Sequence, residues 1–304
     1  MALARATEVG SFAHVGSLQL GIGGAESNVA VALTRLGIAT RWIGRLGADS
    51  LGDLVVRELT AEGITVDAVR DPGAQTGFML KERRTAASTK VWYYRAGSAG
   101  SRLSASDVDA GSIRAASLLH VTGITPALSP SARDAVHAAI GFAREAGVPV
   151  SFDLNYRSAL WSPEEAAAEF ARIIPLCDIV FGGDDELALV VGASAEPVQL
   201  AHAVAALGPR QVIVKLGVDG CVALVDDVAF ERAAVPVHAI DTVGAGDAFV
   251  GAYLAEYLLG ESVEVRLATA VTAGAFACLV PGDWEGMPRR AEFAMLGARE
   301  PVQR

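Results

Sequence analysis

Asp241-Thr242-Val243-Gly244-Ala245-Gly246-Asp247-Ala248-Phe249 is the stretch from which the fold is read. It follows a β-like run, Ala234 to Ile240, and opens an apolar helix that runs to about Leu259. The glycines let consecutive backbone N–H groups point into one concavity. The helix N-terminus adds partial positive charge there. Such a loop suits an anion that gains charge during a reaction, for instance a phosphoryl group in transfer. Asp247 at the end of the loop would stand beside that group and accept the proton of an attacking hydroxyl. A glycine-rich turn can also cap a helix without chemistry, in which case Asp247 only complements the helix dipole.

Outward from this stretch, short β-branched runs alternate with amphipathic segments. Thr40 to Gly44, Leu118 to Thr122, Val148 to Asp153, Asp178 to Phe181 and Gln211 to Lys215 read as strands. Leu51 to Glu62, Pro130 to Ala146, Pro163 to Ile174 and Val198 to Leu207 read as helices. Ser162, Pro163 and Glu165 form a capping box with proline in the first helical position. Ala268 to Ala277 is Ala-rich and reads as a packed helix. The alternation predicts an α/β fold: a Rossmann-like, doubly wound, mainly parallel sheet with helices on both faces. The segment from Pro72 to Ser98 breaks the pattern. Thr76 to Leu80 and Lys90 to Arg95 are extended runs around a polar turn with no helix between them. They predict a hairpin in a small antiparallel β lid.

Composition narrows the function. The chain has 304 residues, 52% of them hydrophobic, which allows a sizeable core built mainly from Ala, Val, Leu and Ile. A net charge of -10 without a basic stripe argues against nucleic acid as a partner. The short basic cluster Lys81 to Arg84 reads as solvated loop. Cys177, Cys221 and Cys278 fit neither a zinc spacing nor a disulfide framework, and read as free thiols of a cytoplasmic protein. The five histidines show no metal-ligand spacing. No leader peptide and no apolar run long enough to span a membrane is legible, so no membrane partner is expected. Gly21-x-Gly23 is not a dinucleotide fingerprint, because Glu26 takes the third glycine position, and no Walker A motif is present.

The string at 241–249 resembles the C-terminal signature of the PfkB/ribokinase family of sugar kinases. Gly23-Gly24-Ala25-Glu26-Ser27-Asn28, with Gly44-Arg45-Leu46-Gly47-Ala48-Asp49 after the next strand, agrees with it. The resemblance implies sugar contacts at Gly24 and Asn28. It implies Asp247 as the base, and Gly244, Ala245 and Gly246 as the amides that stabilise the phosphoryl oxygens. ATP would lie against Lys215, Gly217, Gly220, Thr242, Gly244 and Gly246, the first three being in the strand and turn Lys215 to Gly220. An ordinary hairpin turn is the alternative there. Glu186 fits the last position of an Asn-x-x-Glu element that organises Mg²⁺ through water. Gly183 stands where that element has Asn, so Asp184 or Asp185 can share the role, and a plain acidic helix start is the alternative.

Two further windows, Trp92 to Ala99 and Phe152 to Trp161, resemble the 2-keto-3-deoxygluconate (KDG) kinase branch. That substrate carries a carboxylate, which an arginine fork binds at two points. Tyr93, Arg95 and Arg157 are therefore candidate substrate contacts. Lid packing is the alternative for Tyr93, and structural ion pairs for the two arginines. Tyr93 and Arg95, two apart on a strand, would face the same side. Met79 stands where several KDG kinases carry a second lid tyrosine, which removes one expected hydrogen bond. The apolar first strand with which the family usually begins is not found before Met1-Ala2-Leu3-Ala4-Arg5; losing such a strand would expose neighbouring edges.

The expected organisation is a sugar- and nucleotide-binding domain over 23–71 and 99–304, with a lid over 1–22 and 72–98. The expected activity is ATP-dependent phosphorylation of a sugar or sugar acid, KDG first, with Mg²⁺. Kinases of fructose or ribose type and a sugar sensor without turnover are the alternatives. Lid strands in this family often pair across dimers, so a homodimer through the lid is a further expectation.

Overall fold

Alternation of apolar residues along the central strands decides which side of the sheet each helix covers. The structure is a computed structural model that describes residues 1–85, 88–192 and 196–297. The end of the expected larger domain, 298–304, lies outside them. The chain runs β1 (Ala2–Ala6), β2 (Leu18–Ile22), α1 (Ala25–Arg35), β3 (Arg41–Gly47), α2 (Ser50–Ala61) and β4 (Thr65–Asp71). Then come β5 (Phe78–Thr85), β6 (Ser88–Tyr94), α3 (Ala110–Arg114), β7 (Leu119–Thr122), α4 (Ile124–Leu128), α5 (Pro130–Glu145), β8 (Val150–Asp153) and α6 (Pro163–Ile173). It continues with β9 (Ile179–Gly183), α7 (Asp184–Val191), α8 (Pro197–Ala205), β10 (Gln211–Lys215), β11 (Cys221–Val225), β12 (Val228–Arg232), α9 (Ala245–Leu258) and α10 (Val263–Ala277).

Six strands form the main sheet in the order β12-β11-β10-β9-β8-β7. β7 to β10 run parallel, and β11 and β12 complete the sheet as an antiparallel meander. Ile179, Phe181, Ile213 and Ala223 join the core under α1, α9 and α10. Val180, Val212, Val214 and Leu224, one residue out of phase, join the core under α5, α6 and α8. The strands are thus buried on both faces, as a doubly wound sheet requires. The capping box forms as read: Glu165 N–H donates to Ser162 Oγ at 3.2 Å, and Ser162 N–H to Glu165 Oε2 at 2.9 Å.

The lid is a four-stranded sheet ordered β2-β1-β5-β6. It is mixed rather than purely antiparallel, because β1 runs parallel to β5 while the other two pairings are antiparallel. β3 and β4 pair in parallel as a separate two-stranded sheet. Among the described residues no strand bridges β3 and β7, and the ring of Trp42 lies over Gly44 instead.

Two local readings are corrected. Ala234 to Ile240 is not a strand; Pro236 lacks a ladder donor, and the run ends with Ile240 N–H on Cys278 O at 2.8 Å. Lys81 to Arg84 is not a loop but part of β5, with Lys81 only 4% exposed. Its position facing the body of the protein, next to buried carboxylates, overrides the charge of the run.

α1 and α9 cross at Gly251, where an added β-carbon would meet Ala32 Cβ at 2.5 Å and Val29 O at 3.1 Å. Tyr253 fixes the register of α9 on the sheet, its ring edge-on to Phe181 and its hydroxyl donating to Gln211 Oε1 at 2.7 Å. Gly251→Val must push the two helices apart. It is expected to destabilise by about 1–3 kcal/mol, the usual cost of overpacking, read as a lowered midpoint in urea unfolding.

Candidate active site

The N-terminus of α9 exists in this form because residue 244 is glycine. Its φ is 80°, and a β-carbon there would lie 1.8 Å from Asp283 O. The chain therefore turns tightly against the 282–283 segment and enters α9 with Asp247 in its first turn. Ala245 N–H donates to Thr242 O at 3.3 Å, whereas the Gly244 and Gly246 amides have no hydrogen bond among the described residues. Those two amides and the helix dipole make the floor of an anion site.

Asp247 lies on a cavity of about 530 Å³ between the lid, α1 and the C-terminal ends of the parallel strands. Asn28 Nδ2, brought in by α1, donates to Asp247 Oδ2 at 2.7 Å. Asn155 Nδ2 stands 3.5 Å from Asp247 Oδ1. Burial within the cavity wall pushes the Asp247 carboxyl up to about 7; the Asn28 hydrogen bond opposes that shift and the nearby Asp153 charge adds to it. Asn28 Oδ1 and Asn155 Oδ1 are buried with no partner of their own. Orphaned acceptors of this kind call for a hydroxyl-bearing ligand or water.

Lys215, at the end of β10, donates to Asp153 Oδ1 at 2.7 Å and Oδ2 at 2.9 Å. Burial works against its charge, but Asp153, Glu186 and Asp247 outweigh it and hold the ammonium above the usual lysine value. Glu186 caps α7: Oε2 accepts Gly183 N–H and Oε1 accepts Tyr156 N–H, both at 2.8 Å. Among the described residues no group of three or more His, Cys, Asp or Glu side chains is arranged to hold a metal. Glu186, already engaged with two backbone amides, suits Mg²⁺ only when phosphates and waters supply the other ligands.

On the lid side, Arg95 is buried, its guanidinium stacked over the Tyr93 ring at 4.3 Å and its Nε without a partner. Burial holds its pKa below the ordinary arginine value. Arg157 donates only to Tyr156 O at 3.1 Å. Neither arginine has an ion pair among the described residues, and both line the cavity. Met79 supplies an apolar wall there in place of a hydroxyl.

Most residues singled out from the sequence meet in this cavity. Gly24, Asn28, Tyr93, Arg95, Arg157 and Glu186 line it, as do Lys215, Thr242, Gly244, Gly246 and Asp247. Ala245, Gly217 and Gly220 do not. Gly220 instead closes the β10–β11 turn with φ 101°, its Cα packed against Arg232 O. Lys215 is turned to Asp153 within the cavity. Sequence reasoning missed Asp153 and Asn155. The signal was available: Asp-x-Asn directly after a buried strand, with Asn155 at φ 40°, a left-handed conformation that asparagine tolerates.

Residues 1–290 match the description "pfkB family carbohydrate kinase". The chain is 36% identical to a 2-dehydro-3-deoxygluconokinase of Thermoproteus tenax, over 94% of this chain and 88% of that one. It is 34% identical to a 2-dehydro-3-deoxygluconokinase of Bacillus subtilis, over 99% and 94%. Among solved structures, a putative ribokinase II of E. coli in complex with ATP and Mg²⁺ superposes with a TM-score of 0.89 at 26% identity, covering 98% of this chain and 96% of that one.

Carboxyl ¹³C NMR, with Asp247→Asn to assign the signal, should show Asp247 titrating near 7. Asn28→Ala removes a hydrogen bond to the charged form, so its midpoint should move to higher pH. A midpoint in the ordinary carboxylate range would contradict this geometry.

Proposed function

This chain belongs to the pfkB family of carbohydrate kinases, and on that premise we propose that it transfers the γ-phosphoryl group of ATP to a hydroxyl of a sugar acid, 2-keto-3-deoxygluconate giving 2-keto-3-deoxy-6-phosphogluconate. The observation that carries the sugar-acid reading is the pair of arginines on the cavity, Arg95 and Arg157, neither with a carboxylate partner among the described residues. Arg95 is buried, and a buried guanidinium left unpaired is costly; Arg157 is exposed at the cavity, and a substrate carboxylate supplies the missing partner in two-point geometry. The two 2-dehydro-3-deoxygluconokinase relatives support the same substrate.

The acceptor hydroxyl gives its proton to Asp247 as its oxygen attacks the γ-phosphorus. The bond from that phosphorus to the bridging oxygen breaks, and ADP leaves with the electron pair. Asn28 holds Asp247 Oδ2 at 2.7 Å, while Oδ1 has only the longer 3.5 Å contact from Asn155 and can take the acceptor proton. A carboxyl titrating near 7 both takes the proton and releases it again at neutral pH. The free amides of Gly244 and Gly246 stabilise charge on the phosphoryl oxygens. Asn28 and Asn155 offer their orphaned acceptors to sugar hydroxyls, with Gly24 close by. Thr242 and the turn after Lys215 flank the nucleotide. Glu186 would help hold Mg²⁺ through water, and the ion would supply neutralisation of phosphate charge.

Lid closure over the cavity would exclude water from the phosphate. The lid also exposes Leu18, Leu20 and Tyr94, the surface by which a second copy would pair. The free thiols are in keeping with a cytoplasmic setting; no helix among the described residues is long and apolar enough to cross a membrane.

In a coupled assay of ADP release, Asp247→Ala should lower turnover about 10²–10⁴-fold, the range for a positioned general base. Unchanged turnover would remove Asp247 from that role. Arg157→Ala should raise KM for 2-keto-3-deoxygluconate and leave KM for a neutral sugar such as fructose nearly unchanged. Equal effects on both would discard carboxylate recognition.

A further inference from the structure

Glu26 lines the cavity but has no part in the chemistry described above. It stands in the first turn of α1, where Ser27 Oγ donates to Gly24 O at 2.8 Å. Its Oε1 accepts two hydroxyls: Thr122 Oγ1, at the end of β7, at 2.7 Å and Thr125 Oγ1, in α4, at 2.6 Å. Thr122 Oγ1 in turn accepts Ile124 N–H at 3.2 Å. Two donors thus fix the carboxylate by one oxygen. The other, Oε2, has no hydrogen bond among the described residues and is open to the cavity.

The nearby imidazole does not neutralise Glu26. His120 precedes Thr122 by two residues on β7 and shares its face of the sheet. Burial pushes His120 down to about 4 against the pull of Glu26, so the ring is uncharged at neutral pH. Its Nδ1 lies 3.1 Å from Ser151 Oγ. Glu26 therefore presents a charged acceptor to whatever enters the cavity.

Its place along the cavity follows from its neighbours. Two residues further along α1, Asn28 holds Asp247, the base. On the other side, Glu26 acts on Arg95: burial lowers the pKa of that guanidinium, and the Glu26 charge opposes the shift. Glu26 thus lies between the group that takes the acceptor proton and a group that takes the carboxylate. A six-carbon sugar acid with C6 at Asp247 and C1 at the arginines runs its middle carbons along this wall. The orphaned Asn28 Oδ1 and Asn155 Oδ1 flank Asp247 and serve the 5-hydroxyl, next to the reacting carbon. C3 carries no hydroxyl. The 4-hydroxyl is the one left for Glu26.

We propose that Glu26 is a specificity-determining residue: its Oε2 accepts the 4-hydroxyl of the acceptor and reads the configuration at C4. An epimer whose 4-hydroxyl points the other way leaves a charged oxygen desolvated and unpaired, which a polar site rejects strongly. The inference rests on the sugar-acid reading and deepens it.

The test is kcat/KM, by ADP release, for two pairs of C4 epimers: 2-keto-3-deoxygluconate with 2-keto-3-deoxygalactonate, and fructose with tagatose. Wild type, Glu26→Gln and Glu26→Ala are compared. Both sugar acids carry the same carboxylate, so its repulsion by Glu26 cancels in their ratio. The wild type should prefer 2-keto-3-deoxygluconate by about tenfold or more, the worth of a hydrogen bond to a charged acceptor. Glu26→Gln keeps an oxygen for both threonines and loses only the charged acceptor. It should lose most of the preference, with KM for ATP and the urea midpoint close to wild type. Glu26→Ala should bring the ratio near one.

A wild type indifferent to C4, a preference unchanged in both variants, or an equal loss on both epimers, as a purely structural role gives, would overturn the inference. A preference for 2-keto-3-deoxygalactonate that the variants abolish upholds the contact and replaces the substrate. If the wild type phosphorylates fructose or tagatose but neither sugar acid, the sugar-acid reading falls and Glu26 is judged by the same ratio in that pair. If it phosphorylates none of the four, both fall.

Discussion

The contact on which the structure depends is the packing of Gly244 against the Asp283 carbonyl, 1.8 Å from where a side chain would begin. It turns the chain into α9 so that two free amides and Asp247 emerge on the same side. The close crossing of α1 and α9 at Gly251 then brings Asn28 to 2.7 Å from the Asp247 carboxylate. Both contacts use the absence of a side chain to bring backbone near backbone. The proximity sets a buried carboxyl beside amide donors without another partner among the described residues.

Charge in this region is balanced in buried sets. Lys215 sits on Asp153 near the Asp247 carboxyl, and Lys81 sits between Asp241 and Asp283 beside the loop. Each set neutralises buried acid beside the cavity. Arg95 and Arg157 are the exception, cations on the cavity with no acid of their own. An acidic protein, net charge -10, thus keeps two cations in reserve where a sugar carboxylate would arrive.

Much of this was legible in the sequence because it is local. The 241–249 string, the hairpin and the Ser162 capping box depend on residues a few positions apart, and each forms as read. What was not legible depends on tertiary neighbours. Lys81 lies in a charged run with Glu82, Arg83 and Arg84, and only the approach of residues 241 and 283 makes it a buried cation. Asn155 was missed although Asp-x-Asn follows a buried strand, because its nearness to Asp247 depends on α9. Gly217 and Gly220 stand off the cavity lining, and both adopt positive φ in the β10–β11 turn. Ala234 to Ile240 has strand composition but no partner edge to pair with.

The most direct test of the central geometry is a crystal structure of the wild-type chain with a non-hydrolysable ATP analogue and 2-keto-3-deoxygluconate. The account predicts the acceptor hydroxyl within hydrogen-bond distance of Asp247 and the terminal phosphate on the Gly244 and Gly246 amides. A hydroxyl held away from Asp247, or a phosphate bound elsewhere than the start of α9, would contradict it.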